Sequence, residues 1–358
     1  MGSATAALAI AAACLAGAVA AAAATPLGRK YSWSASTPPR LQWLGNDGYC
    51  GEVSAIMAGL KFGQYLSQYD LRDVATGSQL RYYLVGENDG VTARRLRLQH
   101  SEYPNTCVPR EGARRGNCAR QYLAWAKNQT RHGGAVTITV YMNYNLFYGS
   151  TDPRAGEVDY DHIVSVARVD SDYDDDAFHA DDLLTIVDHG LWSPDNVPQY
   201  AFTYAFGAAM GSREEANSPD GEVYTVPDAY SGGNFGIAHT GPADGGGELV
   251  PVRVDTSVNF ERPGIKDGSQ VRPPPMPLNL TVTASALVPG VRYMLYEYAN
   301  ETAVPTAAFN AHKADAAASL PFVAAGGDMD GANATFTVRR SIMSDEKVFY
   351  RAVRADAP

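Results

Sequence analysis

The sequence predicts an α+β protein whose C-terminal part is all-β. Three observations carry this prediction. An apolar face with helical spacing begins at Gly51, and segments that alternate apolar and polar residues follow from residue 136 onward. A proline-rich segment, residues 272–277, is then followed by strand-like alternation and turn residues. We therefore expect an α+β domain over residues 25–271, a stiff linker, and a small β-sandwich domain over 278–358.

Length and composition agree with a folded chain of two domains. The protein has 358 residues, of which 45% are hydrophobic and 19% are charged. These proportions favour a buried core over disorder. The formal net charge is −10, whereas nucleic-acid binding requires a basic face. We expect no nucleic-acid partner.

The N-terminal segment has the pattern of a secretory signal. Residues 7–24 are apolar, rich in alanine, and end in small residues before Thr25. A membrane anchor is the alternative, but the segment lacks the leucine and isoleucine that favour insertion into a bilayer. We expect residues 1–24 to be a cleaved signal peptide and the mature chain to be secreted without a membrane span. Four acceptor sequences for N-glycosylation agree with export, at Asn128, Asn279, Asn300 and Asn333.

The cysteines divide into a predicted disulfide and a predicted free thiol. Cys14 lies in the signal segment, which leaves three cysteines. Cys107 and Cys118 flank a short polar loop, and closing such a loop contributes roughly 3 kcal/mol in the chain-entropy model. Cys50 then remains unpaired in an oxidising compartment, where a free thiol is a liability unless it is used or deeply buried. A buried, inert thiol is the alternative to a reactive one.

Cys50 lies where an irregular loop meets the start of a helix. The apolar face of that helix consists of Val53, Ile56, Met57 and Leu60. A helix N-terminus and a nearby imidazolium lower a thiol pKa from about 8.5 to roughly 3.5–7.5. Gly48, Tyr49 and Gly51 are predicted to contact substrate, since the two glycines permit close approach. Glu52 either opposes ionisation of the thiol or points away and stabilises the helix dipole.

The downstream segments provide a base for this thiol. We predict a helix after Asn117 and an irregular loop over 212–250. The predicted strands are residues 136–140, 162–169, 183–187 and 199–206. His162 opens one strand and Asp188 follows the next, so neighbouring strands would place Asp188 behind the imidazole. A nucleophile, a base and an orienting acid are the groups that acyl transfer requires.

The acidic segment 170–182 separates the last two of these groups. Its alternating carboxylates are similar to a calcium-binding loop, but the glycine at the sixth position of such loops is absent. A solvated loop is the simpler interpretation, and calcium binding stays open.

These residues together resemble a known family. Gly-Tyr-Cys50-Gly at a helix start, Asp-His162-Ile-Val in a strand and Ile-Val-Asp188 at the end of the next are similar to papain-like cysteine peptidases, especially the C39-like group. The resemblance covers residues 38–210. It implies a papain-like fold with Cys50 as nucleophile, His162 as general base and acid, and Asp188 as orienting residue. The family's oxyanion glutamine lies six residues before the cysteine, where this chain has Leu44.

The resemblance therefore leaves two amides as candidates for the oxyanion hole, Gln42 and Asn46. Loss of one such donor costs roughly 10²–10³ in rate. The function expected on these grounds is a secreted cysteine peptidase that cleaves peptide or isopeptide bonds in a protein or peptide substrate, without metal or other cofactor. One alternative is a non-catalytic extracellular binding or adhesion protein on a peptidase-like scaffold. A glycan-directed module with a tyrosine-rich surface is a further alternative.

Overall fold

A computed structural model describes most of the chain. The described residues are 28–42, 49–76, 89–104, 107, 117–191, 200–228, 234–243, 249–259, 274–305, 313–324 and 334–355. The predicted signal segment, Asn46, Gly48 and Asn333 lie outside them. Within the described residues, no helix combines the length and the apolar character needed to cross a bilayer.

The protein is a mixed α+β structure with several antiparallel sheets. Its helices are α1 (Cys50–Lys61), α2 (Gln68–Thr76), α3 (Asp89–Arg95), α4 (Asn117–Arg131), α5 (Tyr144–Tyr148) and α6 (Arg213–Ala216). Its strands are β1 (Tyr31–Ser34), β2 (Gln64–Tyr65), β3 (Leu98–Glu102), β4 (Ala135–Met142), β5 (His162–Ser171), β6 (Leu183–Asp188), β7 (Tyr200–Ala205), β8 (Met210–Gly211), β9 (Tyr224–Pro227), β10 (Gly236–Pro242), β11 (Leu249–Val250), β12 (Val252–Thr256), β13 (Pro277–Leu287), β14 (Arg292–Tyr298), β15 (Ala318–Val323), β16 (Ala334–Met343) and β17 (Val348–Arg354).

The chain forms two compact units that each combine separate stretches of sequence. The first unit contains Met1–Ala35, Glu102–Asp188 and Gln199–Ala238. The second unit contains Ser36–Ser101, His189–Pro198 and His239–Pro358. Cys50 therefore belongs to the second unit, whereas His162 and Asp188 belong to the first.

The first unit is built around an antiparallel sheet centred on β5. Strand β5 pairs with β4, β6 and β1, and β7 extends the sheet beyond β6. The valines and isoleucines of these strands suit a pleated surface that is covered by other residues. Val140, Val164 and Ile186, from three neighbouring strands, are each at most 1% exposed. This buried sheet fixes the positions of the residues at its ends, His162 and Asp188.

The acidic segment 170–182 is a structured part of the first unit. Its ion pairs include Arg168–Asp170 (2.8 Å), Arg29–Asp172 (2.6 Å), Arg29–Asp181 (3.1 Å), Arg131–Asp174 (2.7 Å), Arg131–Asp176 (2.8 Å) and Lys127–Asp182 (2.8 Å). The carboxylates that would bind calcium are thus engaged by basic side chains of the chain itself. Lys127 and Asp182 are both fully buried, so this pair anchors the segment.

The second unit joins the C-terminal strands to the segment that follows α1. Strand β2 follows α1 directly and pairs with β17. Gly63, at the turn between α1 and β2, has a φ of +79°, and a Cβ there would lie 2.8 Å from the Tyr350 carbonyl oxygen. A glycine is needed at this turn because only glycine adopts this conformation at little cost and permits the close approach.

Two antiparallel sheets form the rest of the second unit. One has the order β11-β17-β14-β15, with β2 also paired to β17, and the other has the order β12-β13-β16. Phe322 of β15 stacks on Phe336 of β16, with ring centroids 4.0 Å apart, and this contact joins the two sheets. Strands β2 and β12 precede the proline-rich segment 272–277, so the C-terminal strands take partners from earlier parts of the chain.

Segment 212–250 differs from the irregular loop that its composition predicts. It contains α6, β9, β10 and β11, although residues 229–233 and 244–248 lie outside the described ones. Helix α6 begins with a capping box in which Ser212 and Glu215 bond each other's backbone N–H groups. Strand β9 pairs with the end of β4. Short elements among many turn residues escape detection because their pairing partners are distant in sequence.

Candidate active site

Cys50 is the first residue of the twelve-residue helix α1 and is 5% exposed. It is a free cysteine, and the predicted disulfide between Cys107 and Cys118 is present. The preceding residue, Tyr49, makes no side-chain capping bond to the helix. The Cys50 side chain therefore lies at the end of α1 where the backbone N–H groups carry a partial positive charge.

Arg72 of α2 braces the residues on either side of Cys50. Its guanidinium carbon lies 3.5 Å from the centroid of the Tyr49 ring, and its Nε donates to Glu52 Oε1 at 2.6 Å. Tyr49 is fully buried, so its ring supports the helix start and offers no surface to a substrate. Gly51, the other predicted substrate contact within the described residues, is also buried. The start of α1 is thus fixed from both sides.

The Glu52 side chain is turned to Arg72. It is fully buried, and burial raises its pKa to about 7, although the Arg72 charge and hydrogen bond oppose this rise. Its Oε2 has no hydrogen-bond partner within the described residues. The sequence left open whether the Glu52 carboxylate opposes ionisation of the thiol or points away and stabilises the helix dipole. In the structure it lies in the first turn of α1 and forms an ion pair with Arg72.

Gln42, a candidate oxyanion donor, is held in the second unit next to α1. Its backbone N–H donates to the His189 carbonyl oxygen at 2.8 Å. The His189 ring in turn bonds through Nε2 to Ser54 Oγ at 2.9 Å, and both side chains are buried. Ser54 lies one helical turn after Cys50, and residues four apart share a helix face. His189 therefore links the Gln42 segment to the face of α1 that carries Cys50.

His162 and Asp188 are brought together in the first unit by the pairing of β5 with β6. His162 Nε2 lies 2.9 Å from Asp188 Oδ1, and the two residues are 9% and 2% exposed. Because Nε2 bonds the carboxylate, Nδ1 is the ring nitrogen that would exchange a proton with a nucleophile. The carboxylate fixes the ring orientation and stabilises an imidazolium.

Tyr224 of β9 is a third member of this group, and it was not among the predicted site residues. Its hydroxyl donates to Asp188 Oδ2, the carboxylate oxygen that His162 does not use. Tyr224 is 1% exposed and lies in the segment that was predicted to be irregular loop. A Tyr-Val alternation within β9 was the available signal, but the strand has only four residues.

The residue before His162 anchors its strand. Asp161 pairs with Arg213 of α6 and accepts hydrogen bonds from the Met142 and Glu157 N–H groups at 2.7 and 2.8 Å. Gly156 fits beside this pair because a Cβ there would lie 2.6 Å from an Asp161 oxygen. The start of β5 is thereby tied to α6 and to the end of β4.

Within the first unit, the contacts of His162 and Asp188 are those of a hydrogen-bonded pair. His162 and Asp188 have ligand chemistry for zinc, but their facing atoms bond each other, and the second carboxylate oxygen accepts from Tyr224. Zinc sites use three or four protein ligands. His189, the next residue along the chain, uses its Nε2 for Ser54.

The described glycosylation sites differ in their surroundings. Asn279 is exposed on β13, where its Oδ1 accepts from Ser341 at 2.7 Å. Asn300 Oδ1 accepts from the Thr302 hydroxyl of its own acceptor sequence at 2.7 Å. Asn128 lies within α4, and the threonine of its sequence, Thr130, is 1% exposed. Asn279 is therefore the most accessible of these three asparagines.

Comparison with known proteins gave no match to a family model, to a curated protein or to a solved structure.

Proposed function

We propose that the protein is a secreted papain-like cysteine peptidase in which Cys50 is the nucleophile and His162, oriented by Asp188, is the general base and acid. The observation that carries this proposal is the buried hydrogen bond between His162 Nε2 and Asp188 Oδ1. A histidine that opens one strand and an aspartate that ends the next have the roles of base and orienting group in the motif. A free cysteine at a helix N-terminus supplies the third role.

The proposed chemistry is acyl transfer. The Cys50 thiol gives its proton to the His162 imidazole, and the thiolate attacks the carbonyl carbon of a peptide or isopeptide bond. The imidazolium then donates that proton to the leaving amine, which leaves an acyl-thioester on Cys50. Water, deprotonated by His162, hydrolyses the thioester and regenerates the thiol. Gln42 is the proposed side-chain donor to the oxyanion, together with the Cys50 N–H.

The proposal is tested by the rate at which Cys50 reacts with an epoxide that modifies activated thiolates. The full chain should be labelled at Cys50 at neutral pH, as identified by peptide mapping. His162→Ala should lower the labelling rate by roughly 10²–10⁴-fold at pH 7, because the base is lost. Above pH 9 the two rates should converge, since an ordinary thiol ionises near about 8.5 without assistance.

His132→Ala is the matched control. His132 is an exposed histidine of the same unit whose ring contacts the Asn128 carbonyl oxygen at 2.8 Å, away from His162 and Asp188. Its replacement should leave the labelling rate unchanged. A wild-type Cys50 that is not labelled at neutral pH, or that is labelled equally fast in His162→Ala, contradicts the peptidase proposal.

A non-catalytic binding protein is the second candidate function, and one feature of the second unit favours it. A groove of about 350 Å³ lies among β14–β17. Its lining residues are Leu295, Glu297, Ala318, Ser319, Leu320, Val338, Arg339, Arg340 and Tyr350. Such a mixture of apolar and charged side chains suits an extended peptide. Under this alternative, Cys50→Ala retains the full affinity for a protein partner and Cys50 is unreactive.

A further inference from the structure

Tyr224 contacts the candidate catalytic acid and is held firmly in place. It begins β9 and faces Met142 of β4 in the sheet register. Its ring packs edge-on against Phe202, with centroids 5.1 Å apart, and lies 5.8 Å from the Phe147 ring. Aromatic neighbours on β7 and α5 thus fix the ring, so the hydroxyl is directed at a fixed point.

That point is the second oxygen of Asp188. His162 Nε2 bonds Oδ1 at 2.9 Å, and the Tyr224 hydroxyl donates to Oδ2. A carboxylate held through both oxygens cannot rotate about its own axis without breaking one of the bonds. The orientation of the carboxylate, and through it that of the imidazole, is therefore set from β9 as well as from β5.

The hydroxyl also acts on the charge of the carboxylate. Asp188 is 2% exposed, and burial without hydrogen bonds would favour its neutral form. Donation from Tyr224 favours the ionised form, and hydrogen bonds to charged groups are stronger than those between neutral groups. Burial, together with the adjacent Asp188 charge, raises the pKa of Tyr224 well above its usual value, so the phenol remains a donor.

We infer that Tyr224 is a positioning residue that fixes the Asp188 carboxylate, keeps it ionised, and thereby orients His162. The catalytic consequence of this inference rests on the peptidase function proposed above, whereas the coupling of Tyr224 to His162 does not. Three other titratable groups interact electrostatically with this network. Tyr204 interacts with Asp188, Tyr148 interacts with Tyr224, and Glu222 interacts with Tyr204.

Tyr224→Phe removes one oxygen atom and keeps the ring contacts. Loss of the donor destabilises the ionised carboxylate, so the pKa of Asp188 should rise. As the pH is lowered, Asp188 then becomes protonated earlier and stops stabilising the imidazolium at a higher pH than in wild type. We expect the acid limb of the Cys50 labelling profile to move up by on the order of one pH unit. The labelling rate at neutral pH should fall about tenfold.

Tyr204→Phe is the matched control. Tyr204 is 8% exposed on β7, and its hydroxyl lies near the Tyr224 backbone but donates no hydrogen bond to the Asp188 carboxylate or the His162 ring within the described residues. This variant should have the wild-type labelling profile. Thermal unfolding of both variants separates a loss of fold from a loss of positioning.

A second measurement does not depend on Cys50. The titration of His162, followed by NMR of labelled histidine in the full chain, should be displaced in Tyr224→Phe and unchanged in Tyr204→Phe. If wild-type Cys50 is not labelled but the His162 titration is displaced in Tyr224→Phe, the peptidase proposal is contradicted and the positioning inference is supported. A His162 titration and labelling profile that are the same in Tyr224→Phe as in wild type overturn the inference.

If Tyr224→Phe does not fold, the infrared carboxyl signal of Asp188 in the wild-type chain provides the test. The signal is identified by its loss in Asp188→Asn. An ionised carboxylate at neutral pH supports the inference, and a protonated carboxyl overturns it.

Discussion

Strand β6 has a buried aspartate at each end, and the two aspartates differ in the partner that compensates their charge. Asp182 directly precedes the strand and Asp188 ends it, and they are 1% and 2% exposed. Asp182 Oδ2 bonds Lys127 Nζ at 2.8 Å, whereas Asp188 bonds His162 at 2.9 Å and Tyr224. Lysine supplies a fixed charge, and histidine one that changes in the physiological pH range. Only the Asp188 end is therefore suited to proton transfer.

The Asp182 end has a structural role. Lys127 Nζ also approaches Ser171 Oγ at 3.3 Å, the Ala177 carbonyl oxygen at 3.1 Å and Asp175 Oδ1 at 3.4 Å. An ammonium group surrounded by four oxygen atoms organises the acidic segment much as a bound cation would. The two ends of one strand thus separate a fixed electrostatic anchor from a titratable pair.

The difference between the two ends of β6 is tested most directly by removing each carboxylate in turn. Asp188→Asn should lower the rate of Cys50 labelling at neutral pH by roughly 10²-fold, because an amide neither stabilises the imidazolium nor holds the ring in the required tautomer. Asp182→Asn removes a carboxylate of similar burial from the other end of the same strand. It should reduce stability and leave the labelling rate of the folded protein unchanged.

Both variants need denaturant unfolding beside the labelling measurement. If Cys50 of folded Asp188→Asn is labelled at the wild-type rate, Asp188 is a structural residue like Asp182. If Asp182→Asn slows labelling in protein that remains folded, the distinction between the two ends of β6 is wrong.

The anchor itself is tested by Lys127→Met, which leaves Asp182 buried and uncompensated. Breaking a buried ion pair in this way should lower the free energy of unfolding by about 3–5 kcal/mol, as measured by denaturant titration. The double variant Lys127→Met/Asp182→Leu removes both charges and should recover part of that loss. A single variant as stable as wild type, or a double variant less stable than the single one, contradicts the assignment of Lys127 as the anchor.

The sequence predicts the contacts of Asp188 only where the contacting residue lies close to it along the chain. His162 and Asp188 lie on consecutive strands, so strand patterns alone predict that they are neighbours. Tyr224 reaches Asp188 only because β9 pairs with β4, and its segment is rich in turn residues. No local pattern specifies that register, which is set by tertiary packing.

The sequence also did not decide which groups surround Glu52, because the residue that decides it lies on another element. A carboxylate in the first turn of a helix is favourable for the helix dipole and unfavourable beside a thiolate. The choice between these interpretations depends on Arg72, which lies on the following helix. Likewise, the division of the C-terminal strands from the rest of the chain was inferred from a proline-rich segment, whereas β2 and β12 pair with those strands from before it.

Glu52 is a third buried carboxylate, and it differs from both Asp182 and Asp188. Its partner, Arg72, is a fixed cation, but burial nevertheless raises the pKa of Glu52 to about 7. A group whose pKa is raised in the folded state binds its proton more tightly there than in the unfolded chain. Its stabilising contribution is complete below the unfolded pKa of 4.5 and is lost as the pH rises through about 7. The free energy of unfolding of wild type, relative to Glu52→Gln, should thus decrease by up to about 1.4 kcal/mol per pH unit across this interval. Urea titrations of both proteins from pH 4.5 to 8 measure this difference in the free energy of unfolding. If the difference instead grows with pH, the charge of Arg72 affects the pKa of Glu52 more strongly than burial does, and Glu52 is ionised throughout this range.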